Sequence, residues 1–150
     1  MLLERILSEA KVMSTRIGRS YLSVGDLVIR DADGLGRHYG IIVGDDRILD
    51  IQKVHGDRAL TREISLSVFG KGRPVVVEPA AEPAETEAVR RRAEALVKRG
   101  QLPYSLLGWR GVNCEHVARY VQTGRSWSKQ AQLGNLLLLA GAAYCLLRKA

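Results

Sequence analysis

The sequence predicts an α+β domain, on three observations. Two β-branched and aliphatic runs, Tyr39 to Val43 and Ile48 to Ile51, flank Gly44-Asp45-Asp46, a strong hairpin signal. Further strand signals lie on both sides of that hairpin, and helical patterns lie at the start and in the second half. The resulting order, a helix, several antiparallel strands, then two helices, fits the class. At 150 residues the chain is long enough for one domain with a real core.

Along the chain, Leu2, Leu3, Ile6, Leu7 and Ala10 fall at helical spacing over residues 2 to 13. Glu4 and Arg5 interrupt the apolar run and no small-residue cleavage site follows, so this reads as an amphipathic helix, not a signal peptide. A strand from Leu27 to Arg30 runs into an Asp/Gly loop, and the hairpin follows. A Gly-rich turn at Phe69 to Gly72 leads to a strand from Arg73 to Pro79. The "AAEPAETEAVRRRAEALVKRG" stretch is a helix with Ala88, Ala95 and Leu96 among its small and apolar positions. Its acids come early, its bases late, and Gly100 closes it. After a short connection, Asn113 caps a helix whose apolar side is Val117, Ala118 and Val121 and whose C-cap is Gly124.

Leu133 to Leu147 is apolar except for Asn135 and precedes Arg148-Lys149. As a helix this segment is roughly 22 Å long, short of the ~30 Å hydrocarbon core of a bilayer. A buried core helix would keep polar positions on its outer side, and this one has almost none. The expectation is therefore a domain over residues 1–130 and an apolar helical tail over 131–150 that meets a membrane or a partner. Cys145, inside the tail, reads as a small core residue in preference to a lipidation site.

The formal charge is +7, and no acidic residue follows Glu115, whereas Arg119, Arg125, Lys129, Arg148 and Lys149 all lie beyond it. A basic end favours an anionic surface. With five tyrosines, two tryptophans and one phenylalanine, aromatic and basic residues do not interleave densely, and no reading motif for nucleic acid is present. Two cysteines in no CxxC pair make no disulfide framework and suit a reducing, cytoplasmic compartment. The histidines stand apart from one another and neither cysteine has a partner, so no metal or cofactor is expected. Nothing in the sequence speaks to oligomeric state.

Cys114 directly follows the Asn113 cap. At the first turn of a helix, free amides and the positive dipole end favour a thiolate and can hold an oxyanion. A nucleophile there also needs a base. His116 is two residues away and points to another side of the helix, which gives it a structural role. His55 reads as part of an exposed loop. His38 stands at the mouth of the "HYGIIV" strand beside a polar loop, where a side chain can reach a cleft. Asp50 ends the return strand. A turn centred on Gly44 would set it beside His38, and a turn displaced by one residue would put the two on opposite faces. The alternative for Asp50 is a surface carboxylate.

"GDLVIR", "RHYGIIVGDDRILD" and "YSLLGWRGVNCEHVARYVQTG" together resemble the lecithin:retinol acyltransferase family, which includes the H-Ras-like suppressor phospholipases/acyltransferases and is related to NlpC-type thiol hydrolases. The matching pieces are Gly25-Asp26, His38 to Ile41, Gly44-Asp45, Tyr104 and Asn113 to His116. The resemblance implies an antiparallel sheet packed on helices in a permuted papain-like arrangement. It makes Cys114 the acyl-accepting nucleophile and His38 its base. Family enzymes commonly carry a second histidine twelve residues after the first, and Asp50 stands there, completing a Cys–His–Asp set. The function it implies is a membrane-associated acyltransferase or phospholipase A on glycerophospholipid esters, with water or an amine or alcohol as acyl acceptor. The rival readings are an NlpC-like peptidase or amidase, and a non-catalytic membrane adaptor whose triad has drifted.

Overall fold

The computed structural model describes residues 22–32, 34, 36–82, 84–107 and 111–148. The helix expected over residues 2 to 13 lies outside the described residues. The elements run β1 (Leu27–Asp31), β2 (Arg37–Gly44), β3 (Arg47–His55), β4 (Arg58–Ile64), α1 (Leu66–Gly70), β5 (Val76–Glu78), α2 (Thr86–Arg99), β6 (Gln101–Pro103), α3 (Cys114–Thr123) and α4 (Lys129–Leu147). Among the described residues the strands form one six-stranded sheet in the order β5-β1-β2-β3-β4-β6. Every neighbouring pair is antiparallel. The α+β class holds.

The central strands read as continuous apolar runs because they are buried on both faces. Leu27, Ile29, Tyr39, Ile41, Val43, Leu49 and Ile51 share one core with Val89 and Ala93 of α2 and Val117, Ala118 and Val121 of α3. Val28, Ile42 and Ile48 occupy the other face, closed by Phe69 of α1. The helix ends are tied to their neighbours. The Thr61 hydroxyl of β4 lies 2.7 Å from the Leu96 carbonyl and 2.9 Å from that of Gly100 at the end of α2. Arg92 of α2 donates to the Val121 and Gln122 carbonyls at the end of α3. The Arg92 bonds satisfy carbonyls at the end of α3, where a helix runs out of its own donors.

Several elements differ from expectation. β4 hides in "RALTREI" because the side chains it turns inward, Ala59 and Thr61, are small. The expected turn at Phe69 to Gly72 is mostly the end of α1: the Ser65 hydroxyl accepts from Val68 N–H, and the chain leaves through Lys71, whose φ is +50°. The strand expected over Arg73 to Pro79 narrows to Val76–Glu78. In α2 the buried stripe is Ala88, Val89 and Ala93, and Ala95 faces solvent.

The hairpin register decides the site. The turn is Asp45-Asp46, closed by the pair Gly44–Arg47, but the ladder beyond it pairs Ile42 with Ile48 and Ile41 with Leu49. A bulge between Ile42 and Gly44 accounts for the difference. Continuing the Ile41–Leu49 register sets Asp50 opposite Gly40, two residues from His38 and on the same face. The turn is thus centred later than Gly44, yet His38 and Asp50 stay together, because moving a turn's centre by one residue moves the pairing by two. A regular ladder from Gly44–Arg47 would instead have set Asp50 opposite Ile41, on the core face.

The tail helix α4 begins at Lys129, before the apolar run, with a polar first turn, so it is mixed along its length. The Ser128 hydroxyl caps it, accepting from Ala131 N–H at 3.1 Å. Leu133, Leu136, Leu137, Leu138, Leu139 and Tyr144 are exposed. Cys145 is exposed too, which rules out the core role expected for it. Among the described residues no helix is long and apolar enough to cross a membrane.

Candidate active site

Cys114 is the first residue of α3, and Asn113 caps it as expected. The Asn113 Oδ1 accepts from His116 N–H at 2.9 Å, and the His116 Nδ1 accepts in return from Asn113 N–H at 3.3 Å. This reciprocal box fixes His116 as part of the helix start. Burial lowers the His116 pKa, with the Glu115 charge opposing. The Asn113 Nδ2 is also engaged, donating to the Leu106 carbonyl and to Ser128 Oγ at 3.0 Å each. Just upstream, Gly111 lets the chain run against β6: a Cβ there would lie 2.5 Å from the Pro103 carbonyl oxygen. The bridge between Tyr104 and Val112 then delivers Asn113 and Cys114 beside the sheet.

Cys114 is buried, and its Sγ donates to the Arg37 carbonyl at 3.8 Å, at the first residue of β2. His38 follows. Its Nε2 and the Asp50 Oδ1 are 2.6 Å apart, and its ring stacks on Phe69 with centroids 5.4 Å apart. Gly40 leaves room for that stack, since a Cβ would lie 2.8 Å from Phe69 Cε2 and 2.7 Å from Ile48 Cγ2. The Cys114 side chain is close enough to the His38 ring to shift its pKa, so one imidazole stands between the thiol and the carboxylate. Burial alone would lower the His38 pKa. The bond to Asp50, the neighbouring Cys114 side chain and the charges of both outweigh it and raise the value to about 9.

Asp50 is buried, and its second oxygen accepts from Arg62 Nε at 3.2 Å and Nη2 at 3.1 Å. Burial pushes the Asp50 pKa up, but the bonds and charges of His38 and Arg62 override it and hold the carboxyl below its ordinary range. The surface-carboxylate alternative is thereby removed. Arg62 was not foreseen. It sits directly across the ladder from Asp50, in the strand that the sequence did not reveal. Tyr104 lies near enough for burial, and then the Cys114 charge, to raise its pKa. His55 is the exposed last residue of β3, not a loop residue, and takes no part. Among the described residues no group of three or more His, Cys, Asp or Glu side chains could hold a metal ion.

Glu115 is fully buried and was also unforeseen. Its Oε2 accepts from Ser128 Oγ at 2.7 Å and from Gln130 N–H at 3.1 Å, at the start of α4. The Gln130 side chain bridges to the backbone of Arg37, accepting from its N–H and donating to its carbonyl. Arg119 is buried as well, paired with Glu78 at 2.7 Å and seated over Trp127. It therefore adds nothing to the basic surface expected at this end.

A model of the family described as lecithin retinol acyltransferase matches residues 20–127, well over half of the chain. The chain belongs to the lecithin retinol acyltransferase family. The match to this acyltransferase family takes in β1 to α3, with His38, Asp50 and Cys114 inside it, and stops before α4. Within the family pattern this chain carries Asp50 where the resemblance leads one to expect a second histidine. No curated protein gives a match.

Proposed function

We propose that this chain is a membrane-associated thiol acyltransferase or phospholipase A, acting on acyl esters of glycerophospholipids through a thioester on Cys114. The observation that carries the reading is the linkage of Cys114, His38 and Asp50 at the first turn of a helix, inside an acyltransferase family match. The proposed fold relation is the permuted papain-like one, in which a helix N-terminus presents the thiol to a sheet histidine.

In the first half-reaction the Cys114 sulfur attacks the ester carbonyl and its proton resides on His38. The oxyanion meets the Cys114 N–H, which has no acceptor within its own helix. The Asn113 side chain is not a donor for it, both its hydrogens being engaged. His38 then protonates the departing lysophospholipid oxygen, leaving the acyl group on sulfur. In the second half-reaction His38 takes a proton from water, or from an amine or alcohol, which attacks the thioester and regenerates the thiol. Asp50 stabilises the imidazolium in both, much as a catalytic carboxylate does in a serine triad.

The exposed leucines of α4 support work at a lipid surface, with Arg125, Lys129 and Arg148 exposed around them. Each such cation near an anionic leaflet is worth about 1 kcal/mol. On this reading residues 1–130 form the catalytic domain, 131–150 lie in the interface, and the enzyme works on the cytoplasmic side.

The test is intact mass after brief exposure to phosphatidylcholine vesicles, beside Cys114→Ser. A gain of one acyl group, released by neutral hydroxylamine and absent from the variant, is expected. No adduct and no released product would overturn the reading in favour of the peptidase or the adaptor.

A further inference from the structure

A cavity of about 170 Å³ opens beside the candidate triad, with His38, Asp50 and Tyr104 in its wall. That volume is worth about six waters, too small for an acyl chain pair but ample for a small polar group. Its wall also carries Arg30, Lys53, Arg62 and Lys71. Against these four cations Asp50 is the one carboxylate among its described lining residues.

Arg30 is the decisive residue. It is 7% exposed and pairs directly across the β1–β2 ladder with His38. Its Nη1 donates to the Asp31 carbonyl at 2.9 Å, while its Nε is buried with no hydrogen-bond partner. Its guanidinium stands 5.6 Å from the Phe69 ring centroid, a contact that offsets part of the burial. Among the described residues no carboxylate forms an ion pair with it. A buried guanidinium without a counter-charge is costly, and an anion entering the cavity relieves that cost. The planar fork of Arg suits phosphate oxygens in particular.

We propose that Arg30, assisted by Lys53, forms an anion subsite that takes the phosphodiester of a glycerophospholipid head group and so sets the acyl ester over Cys114. The assignment rests on the phospholipid reading above and names the part of the substrate that orients it. Arg62 contributes field but is committed to Asp50 through two of its nitrogens. An uncharged ester lacks the group that this subsite holds, so it loses the advantage of positioning.

The experiment compares kcat/KM on phosphatidylcholine vesicles with kcat/KM on an uncharged ester, p-nitrophenyl butyrate, for the full chain. The ratio of the two is expected to fall about tenfold or more in Arg30→Gln. Arg30→Lys recovers most of it, and Lys53→Gln, at an exposed position, lowers it a fewfold. An unchanged ratio in both Arg30→Gln and Lys53→Gln overturns the proposal, even if Arg30→Gln lowers both activities through poorer folding. Thermal shift supplies an arm independent of turnover. Glycerophosphocholine is expected to raise the melting temperature of the wild type and not of Arg30→Gln. A response to inorganic phosphate alone overturns the head-group assignment in favour of a free phosphate site. If the wild type turns over the uncharged ester but no phospholipid, the functional reading fails separately, and the thermal arm still reports whether the anion site exists.

Discussion

Asp50 serves two cations with one carboxylate, and that division sets the behaviour of His38. One oxygen holds the imidazole and the other holds Arg62, so the attraction that lifts the His38 pKa to about 9 is shared. A group raised this far stays protonated through neutral pH and loses its proton only as pH climbs through 9. The basic limb of the rate profile is therefore expected near that value. Asp50→Asn removes the hydrogen-bonding charge, so the limb shifts toward neutral pH and the rate drops roughly a hundredfold. A pH–rate series on both proteins checks this, and an unmoved limb would show that Asp50 does not act on His38. The cap at Asn113 and the place of Cys114 directly after it were legible because capping is local chemistry. The position of Asp50 beside His38 was not, since it depends on a ladder register that local composition does not specify.

Among elements, α3 and α4 are joined through a carboxylate that neither helix exposes. Glu115, next to Cys114, accepts from the cap of α4, while Gln130 of α4 grips the residue before His38. The tail helix is thereby fastened to both sides of the candidate site. Ser128 is central to that joint, bonding Asn113, Glu115 and Ala131. Ser128→Ala should cost about 1–3 kcal/mol, because buried polar partners lose their bonds. Hydrogen exchange at the first turn of α4 should rise in step with a lower melting temperature. Protection that stays at the wild-type level would mean that the joint is not what holds the helix. Helices with a cap, an apolar stripe and a closing glycine could be read from sequence. β4 could not, as small inward side chains carry no apolar signal, and with it went Arg62. Glu115 looked like an ordinary first-turn acid; its burial comes from a helix that docks thirteen residues later.

For the whole molecule, the charge count overstates the basic end, because Arg119 is buried against Glu78. What faces outward instead is a row of leucines on α4, Leu139 at 69% exposure among them. Leu137→Glu with Leu139→Glu should weaken binding to anionic vesicles at least tenfold and leave the melting temperature unchanged. Sedimentation with vesicles and a thermal melt decide it; a lower melting temperature with unchanged sedimentation would mean that these leucines pack within the protein. The α+β class and the hairpin were visible from the order of apolar runs, whereas the cationic cavity was not, since Arg30, Lys53 and Lys71 come together only once the strands pair. The bulge between Ile42 and Gly44 carries a lesson for finding kin. The spare residue there means that the interval from His38 to Asp50 is a property of this hairpin and not of the chemistry. A sibling with the same turn and no bulge would bring its histidine and carboxylate to one face with an interval one residue shorter. A pattern search that insists on the spacing seen here would pass over it.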